Sequence, residues 1–541
     1  MKSRHSIDCS MNCINPLTFE MAMTIDFKRW RFWIPALVVF ALTFPDMVPF
    51  ASGQSAKPER PNILFLMTDQ HRGDALGADG NQVIQTPNLD RLADEGARFR
   101  CAYSTVPSCT PARSAILTGL SPWHHGLPGF SAMAVKYERE MPQMLADVGY
   151  QTVGIGKMHF FPQRNGHGFE TMILDESGRV DSPGFVSDYR IWFKEVAPDL
   201  NPEPNGIGWN SHRAAPYAID EKFHPTVWTG DRAVEFLEKY DDERPLFLKV
   251  SFARPHSPYD APQRYWDMYA DRDDIPLRAV GDWCERHAQR GKRHADDLWQ
   301  GDLGEDAARL ARIGYYGNIT MIDDQIGRIL KVLEDRKMLD NTLILMTSDH
   351  GDMLGDHHLW RKTYGYDASA RVPMLLRWGK TLSAAETDGR NGGLVLSQPV
   401  ELRDIMPTFL DVAGVAYEEE WFDGRNLLSL IRNPEAPWRE YIDLEHATCY
   451  APENNWTGLT DGKIKYIYYA PDAREQLFDL AADPNEEHNL APLPEHGQTL
   501  ELWRSRMEEH LQERGEPYVK DGKLLPRPQG IIRSPNYPVK Q

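Results

Sequence analysis

Four short apolar runs set the architecture. Asn62 to Thr68, Thr152 to Ile155, Leu246 to Ala253 and Thr342 to Thr347 place apolar residues at consecutive rather than alternate positions. Runs of this length predict strands buried on both faces, as in a parallel sheet covered by helices. The segments between them supply the helices. Thr86 and Pro87 open one that runs through Glu95 to Gly96, with a Thr cap, Pro at the first position and Gly at the end. A second lies around Met144 to Val148 and stops at Gly149. Tyr315 to Asp335 is amphipathic, with Ile319, Ile322, Ile326, Ile329 and Leu330 along one stripe. Strands alternating with helices predict an α/β fold: a large mixed, mostly parallel sheet sandwiched by helices.

The pattern changes near Glu435, Ala436 and Pro437. Beyond that point Lys463 to Tyr469 alternates as an antiparallel strand would, and a last helix is expected near Leu500 to Arg514. The division expected is a main domain over 61–434 and a smaller C-terminal α+β domain with an antiparallel sheet over 435–541. The tail after Leu525 is read as irregular. Asn165 to Glu243, rich in Gly, Pro, Asp and aromatics, is read as long loops. At the N-terminus Lys28, Arg29 and Arg31 precede the apolar run Phe32 to Phe44, and Ala51, Ser52 and Gly53 form a small-residue cleavage pattern. Residues 1–53 are expected to be a signal peptide, with Met21 or Met23 as alternative starts and 54–60 as a linker. The expectation is export to the periplasm or outside. An uncleaved anchor is the alternative, although the run is short for a spanning helix.

Composition narrows the partners. The 541 residues are 41% hydrophobic and 26% charged, with a formal net charge of −19. That balance argues against a nucleic-acid binder, which would usually show a basic face. It still permits an anionic substrate, because a local cluster of cations dominates its own pocket. No stable membrane partner is expected. Six cysteines, Cys9, Cys13, Cys101, Cys109, Cys284 and Cys449, show no paired zinc spacing. If Cys109 is modified and the leader removed, at most one disulfide forms, so disulfides do not build this fold.

The chemistry gathers at strand ends. Asp69 and Gln70 follow the first run, Lys157 and His159 the second, His256 the third, Asp349 and His350 the fourth. Ligands of open α/β sheets sit beyond the carboxyl ends of the strands. Cys109, with Pro111 and Arg113, stands at a predicted helix start, where free N–H groups and the dipole favour an anion. Arg113, one turn in, can offer a planar bidentate cation. Asp356, His357 and His358 read as a polar loop, His446 and Asn455 as ordinary surface residues with substrate contact as the alternative, and the basic stretch Trp283 to Asp297 as a solvated loop, with a hold on a second anionic group of a substrate as the alternative. Arg254 is left outside the site.

Cys109, Pro111 and Arg113, followed by Leu117, Thr118 and Gly119, resemble the Cys-x-Pro-x-Arg signature of the type I, formylglycine-dependent sulfatases. Asp69-Gln70, Gly156-Lys157-Met158-His159, Pro255-His256-Ser257-Pro258 and Ser348-Asp349-His350-Gly351 match further motifs of that family in the same order. The resemblance implies an alkaline-phosphatase-like fold and hydrolysis of sulfate monoesters, of carbohydrates or aryl alcohols. It implies that Cys109 is oxidised to formylglycine by a maturation enzyme, and that the hydrate is the nucleophile. One divalent metal, calcium first with magnesium or manganese as alternatives, would lie between Asp69, Gln70, Asp349, His350 and residue 109. His350 stands where many sulfatases have Asn, which admits transition metals. Arg113, Lys157 and Lys362 would hold sulfate oxygens, with Arg361 as a register rival to Lys362. His256 would assist the leaving alcohol, and His159 would act as base. Two rivals remain: a phosphonate monoester hydrolase or phosphodiesterase on the same fold, and a non-catalytic protein that binds sulfated glycans.

Overall fold

The computed structural model describes residues 60–176, 179, 182–292 and 297–538. The expected signal peptide, nearly all of the linker, and Arg293 and His294 of the basic stretch lie outside the described residues. The main elements, in chain order, are β1 (Asn62–Asp69), α1 (Pro87–Asp94), β2 (Ala97–Phe99), α2 (Cys109–Thr118), β3 (Gln151–Gly156), β4 (Thr171–Leu174), α3 (Pro225–Lys239), β5 (Leu246–Pro255), α4 (Glu305–Asp335), β6 (Thr342–Ser348), β7 (Met374–Arg377) and β8 (Leu394–Leu396). These strands form one eight-stranded sheet in the order β8-β2-β7-β6-β1-β5-β3-β4. β1 runs parallel to β5 and β6, and β3 parallel to β5 and β4. β7 is antiparallel to both of its neighbours, β6 and β2.

Consecutive apolar residues in the central strands serve two cores. Ile63, Phe65 and Met67 of β1 pack on one face with Phe247, Leu343, Leu345 and the helical residues Ala112, Phe409 and Leu410. Leu64 and Leu66 pack on the other with Leu248, Val250, Ile344 and the Ile322–Ile326–Ile329 stripe of α4. Each fully buried side chain of this size is worth roughly 1.5–3 kcal/mol, and only the buried Lys249 and Ser251 interrupt the apolar run of β5. Both faces are thereby closed, and chemistry is left to the sheet's edge.

A second sheet of four antiparallel strands follows: β9 (Ile442–His446), β10 (Trp456–Thr460), β11 (Ile464–Tyr469) and β12 (Arg474–Asp479), with α5 (Gly497–His510) beyond. Its Trp456, Ile467 and Tyr469 pack against Met353, Tyr364 and Tyr366 from the loop after β6. Among the described residues no helix is long and apolar enough to cross a membrane. The four cysteines in the described region, Cys101, Cys109, Cys284 and Cys449, are free thiols.

Several expectations need correction. Thr86 does not cap α1 with its side chain. The caps come from Asp323 of α4, which accepts from the N–H groups of Asn88 at 3.1 Å and Leu89 at 2.8 Å. Gly96 is required for close approach rather than for a helix stop: a Cβ there would lie 2.2 Å from the Leu376 carbonyl oxygen. The stretch 165–243 is not all loop, since it holds β4, a helix at Asp188–Val196 and α3. α3 escapes a hydrophobic pattern because it buries Thr226, Thr229, Gly230 and Ala233, small residues that let it pack close to α4. His446 and Asn455 are buried rather than on the surface. Asp356, His357 and His358 are buried too, with Asp356 paired to Arg72 and Arg312.

Candidate functional site

Because β1, β3, β5 and β6 are parallel, their carboxyl ends lie along one edge. Asp69 is the last residue of β1, and Lys157, His256 and Asp349 each follow the last residue of their strand. Gly156 turns the chain here at φ 93°, and a Cβ would sit 2.1 Å from the Ser251 carbonyl oxygen, so only glycine lets Lys157 leave the strand at this point. α2 delivers the other half. Ser108 is extended, and the helix begins at Cys109, which is 1% exposed.

Four ligand-type groups converge. An atom from each of Asp69, Cys109, Asp349 and His350 lies within 4.8 Å of the others, and all four residues are buried. The Cys109 Sγ is 3.2 Å from His350 Nε2 and 3.9 Å from Asp69 Oδ1. His350 Nδ1 is 2.9 Å from the Gly351 carbonyl oxygen, to which it donates, and this leaves the Nε2 lone pair facing the cluster. Two carboxylates, an imidazole nitrogen and the residue-109 side chain, gathered out of water with their acceptor atoms toward one another, fit a divalent cation.

Cations surround this group. Arg113 donates from Nε to Asp349 at 2.9 Å, from one Nη to Asp69 at 3.1 Å and from the other to the Lys157 carbonyl at 2.7 Å. It therefore ties the two carboxylates together. Lys157 Nζ is 2.5 Å from Asp69 Oδ2 and 4.7 Å from the centre of the Trp209 ring. Lys362 Nζ reaches Gln70 Oε1 at 2.9 Å, His256 Nε2 at 2.7 Å and the Cys109 Sγ at 3.5 Å. Arg361, its rival in register, turns away to Asp297 and over the Tyr450 ring. Gln70 thus stands at the rim, its amide oxygen on Lys362 and its amide nitrogen on Asp352. His159 stands one step out. Its backbone N–H donates to Glu176 at 3.0 Å, and its Nδ1 is buried without a partner. Arg254 is held by Asp260.

The charges set one another's protonation. Burial and Asp69 push the Cys109 thiol up, but Lys362, Lys157 and His350 outweigh them and bring it down to about 7. Burial opposes charge on Asp69, yet Lys157, His256 and Arg113 hold it well below the usual carboxylate range. Burial, then Lys362, drives His256 well below an ordinary histidine. Burial, then Arg179 and Lys157, does the same to His159. His350 goes the other way: Asp349 and the Cys109 sulfur overcome its burial and raise it.

Three further residues beside the site were not assigned to it from the sequence. Trp209 stacks on the His256 ring at 4.1 Å between centroids and 13° between planes. His446, from the second sheet, places Nε2 2.9 Å from the Ser108 hydroxyl, next to Cys109. Asp352 accepts from the N–H groups of Leu354 and Arg361, each at 3.1 Å, from the Tyr259 hydroxyl at 2.6 Å and from Gln70. A carboxylate three residues beyond Asp349 is the one hint that the sequence offered.

Comparison with known proteins agrees with this geometry. A family model described as Sulfatase matches residues 61–415, and one described as N-sulphoglucosamine sulphohydrolase, C-terminal, matches 355–513. An arylsulfatase of Clostridium perfringens is 37% identical over 478 residues, covering 86% of this chain and 97% of its own. A choline-sulfatase of Rhizobium meliloti is 33% identical, covering 80% and 83%. The solved phosphonate monoester hydrolase of Agrobacterium radiobacter shares the fold with a TM-score of 0.68 at 23% identity, over 86% of this chain and 100% of that one. The chain belongs to the sulfatase family of enzymes, within the alkaline phosphatase superfamily.

Proposed function

We propose that the chain hydrolyses sulfate monoesters with a formylglycine hydrate, made from Cys109 by a maturation enzyme, as its nucleophile. The observation that carries this is the placement of the Cys109 Sγ: at a helix start, 3.2 Å from His350 and 3.5 Å from Lys362, where a side chain bearing two hydroxyls would meet both. Asp69, Asp349, His350 and residue 109 would hold the cation, calcium first, with Gln70 at its rim. The bound cation supplies Lewis-acid stabilisation of the negative charge that builds on oxygen.

The chain's own residues divide the remaining work. Lys157 and Lys362 neutralise sulfate oxygens as the hydrate oxygen, its proton given up to water, attacks sulfur and the bond from sulfur to the alcohol oxygen breaks. Arg113 keeps the two carboxylates in register. The departing oxygen takes its proton from the Lys362–His256 pair. Burial lowers the pKa of Lys362 and so makes its ammonium a better acid. His256, low in basicity and pinned by Trp209, leaves that proton on Lys362. His159, neutral for the same physical reason, accepts the proton of the second hydroxyl. The bond from carbon to the sulfate oxygen then breaks, the aldehyde re-forms, and water restores the hydrate.

Mass spectrometry of the peptide across Cys109, from a host that converts sulfatase cysteines, tests the nucleophile: the thiol should be replaced by an aldehyde or its hydrate. Rates on 4-nitrophenyl sulfate and on a 4-nitrophenyl phosphonate ester then test the reaction. A faster phosphonate rate would favour the phosphonate hydrolase reading, to which the shared fold and the His350 ligand lend support. Export rests on residues 28–53 alone, and an exported protein beginning at Gln54 is its expected outcome.

A further inference from the structure

A cavity of about 40 Å³ lies against Trp209, the ring that stacks on His256, and no step above uses it. Arg254, Arg190 and Asp260 line it with Trp209, and prolines close much of the rest. Three donors here lack a partner. Arg254 commits Nε and one Nη to Asp260, at 2.8 and 2.9 Å, and its other Nη is buried and unpaired in a residue 4% exposed. Trp209 Nε1 and Arg190 Nε are buried and unpaired as well. Among the described residues, no side chain lining the cavity leaves a buried acceptor unpaired. Buried polar groups are nearly always satisfied, so this lining calls for a group that accepts several hydrogen bonds. A hydroxyl or a carboxamide brings protons of its own, which would find no free acceptor. An ionised carboxylate only accepts, and its hydrogen bonds from guanidinium groups are of the strong, charge-assisted kind. The size agrees. A buried water needs about 10–15 Å³, so the cavity has room for about three non-hydrogen atoms, the number in a carboxylate.

We propose that this cavity is a carboxylate site, distinct from the sulfate site and joined to it through Trp209. Its occupant is either a carboxylate on the substrate's own alcohol part or a free small carboxylate. The site itself stands without the sulfatase reading, and its use by a substrate rests on that reading. An ester whose alcohol carries a carboxylate would be anchored on the same side as His256, beside its leaving oxygen.

Acetate is the probe, because its binding needs no turnover. Ligand-detected NMR should show acetate on the unconverted protein, in inorganic sulfate that keeps it off the catalytic cations. Arg254→Lys keeps one nitrogen for Asp260 and removes the unpaired one, and should raise the Kd of acetate about tenfold or more. Trp209→Phe keeps a ring on His256 and removes the indole N–H. It should raise the Kd by a smaller factor, and it decides the matter if Arg254→Lys does not fold. Acetate that fails to bind, or whose Kd neither variant moves, leaves the donors to water and overturns the site. Phenyl sulfate and its ortho-, meta- and para-carboxy derivatives then separate the two sources in the converted enzyme. A carboxylated ester whose KM rises about tenfold in Arg254→Lys, while phenyl sulfate keeps its KM and kcat, identifies the substrate's own carboxylate. Arg254-dependent acetate binding without such an ester identifies a free carboxylate. If the converted enzyme releases sulfate from no ester, the sulfatase reading falls, and acetate binding on the unconverted protein is read independently of it.

Discussion

Two buried charge clusters in this molecule are built on opposite plans. Around Lys465, which is 0% exposed, donors and acceptors alternate. Its Nζ donates to Asp367 and, at 2.8 Å, to Glu486, whose other oxygen accepts from the Asp367 N–H at 2.6 Å. Nothing is left over. Around Cys109 the acceptors of Asp69, Asp349 and His350 face one another, and their cations approach from outside. The first arrangement is complete with the chain's own atoms, whereas the second gathers the donor set that a cation would fill. A closed network stabilises a fold, and an open one keeps binding energy for a ligand.

The strongest way to break that contrast is Asp349→Asn. It should cut sulfate release about 10³-fold, by analogy with loss of a transition-state electrostatic partner. Its melting temperature in chelator should equal or exceed that of the parent. Calcium at a hundred times its Kd should add about 2.7 kcal/mol to the stability of the parent and far less to the variant. An Asp349→Asn protein that unfolds in chelator would show the site to be structural after all. Lys465→Met should do the reverse, with a loss of about 3–5 kcal/mol in urea unfolding and an unchanged rate per folded molecule. Full stability with reduced turnover would erase the distinction.

A smaller effect concerns histidines that belong to neither cluster. Burial pushes His125 down to about 3 and His357 down to about 4. Their folded pKa values lie below the unfolded value, so the stability they carry is present above about pH 6.5 and is lost as pH falls toward 4. Each steepens that loss by up to about 1.4 kcal/mol per pH unit. His125→Gln should flatten the dependence of unfolding free energy on pH between 6.5 and 4.5, and an unchanged slope would place the proton uptake elsewhere.

The sheet was legible because Phe65 and Leu66, adjacent in sequence, must serve opposite cores, and only a strand buried on both faces needs that. The site was legible because those strands end in residues that no core would keep. What escaped depends on contacts distant in sequence. Asp323 caps a helix more than two hundred residues before it, and Trp209 pins His256 from a stretch without periodicity. Arg113 is the instructive case. Its type and position promised a cation for sulfate, but a guanidinium between two carboxylates is committed before any ligand arrives. α3 was missed for the same reason that it fits: small residues pack closely and leave no stripe to read.

The reversal of β7 has one last consequence. Thr347 near the end of β6 pairs directly with Met374 at the start of β7, so the intervening segment leaves the sheet and returns to the same rung. Lys362 rides on that segment between Arg361 and Thr363, both at positive φ, and Asp352 cross-links it to Gln70. Its two ends are clamped by a sheet that exists without any substrate. The entropy of closing this segment is therefore spent in folding, and the lysine meets each ester already in place.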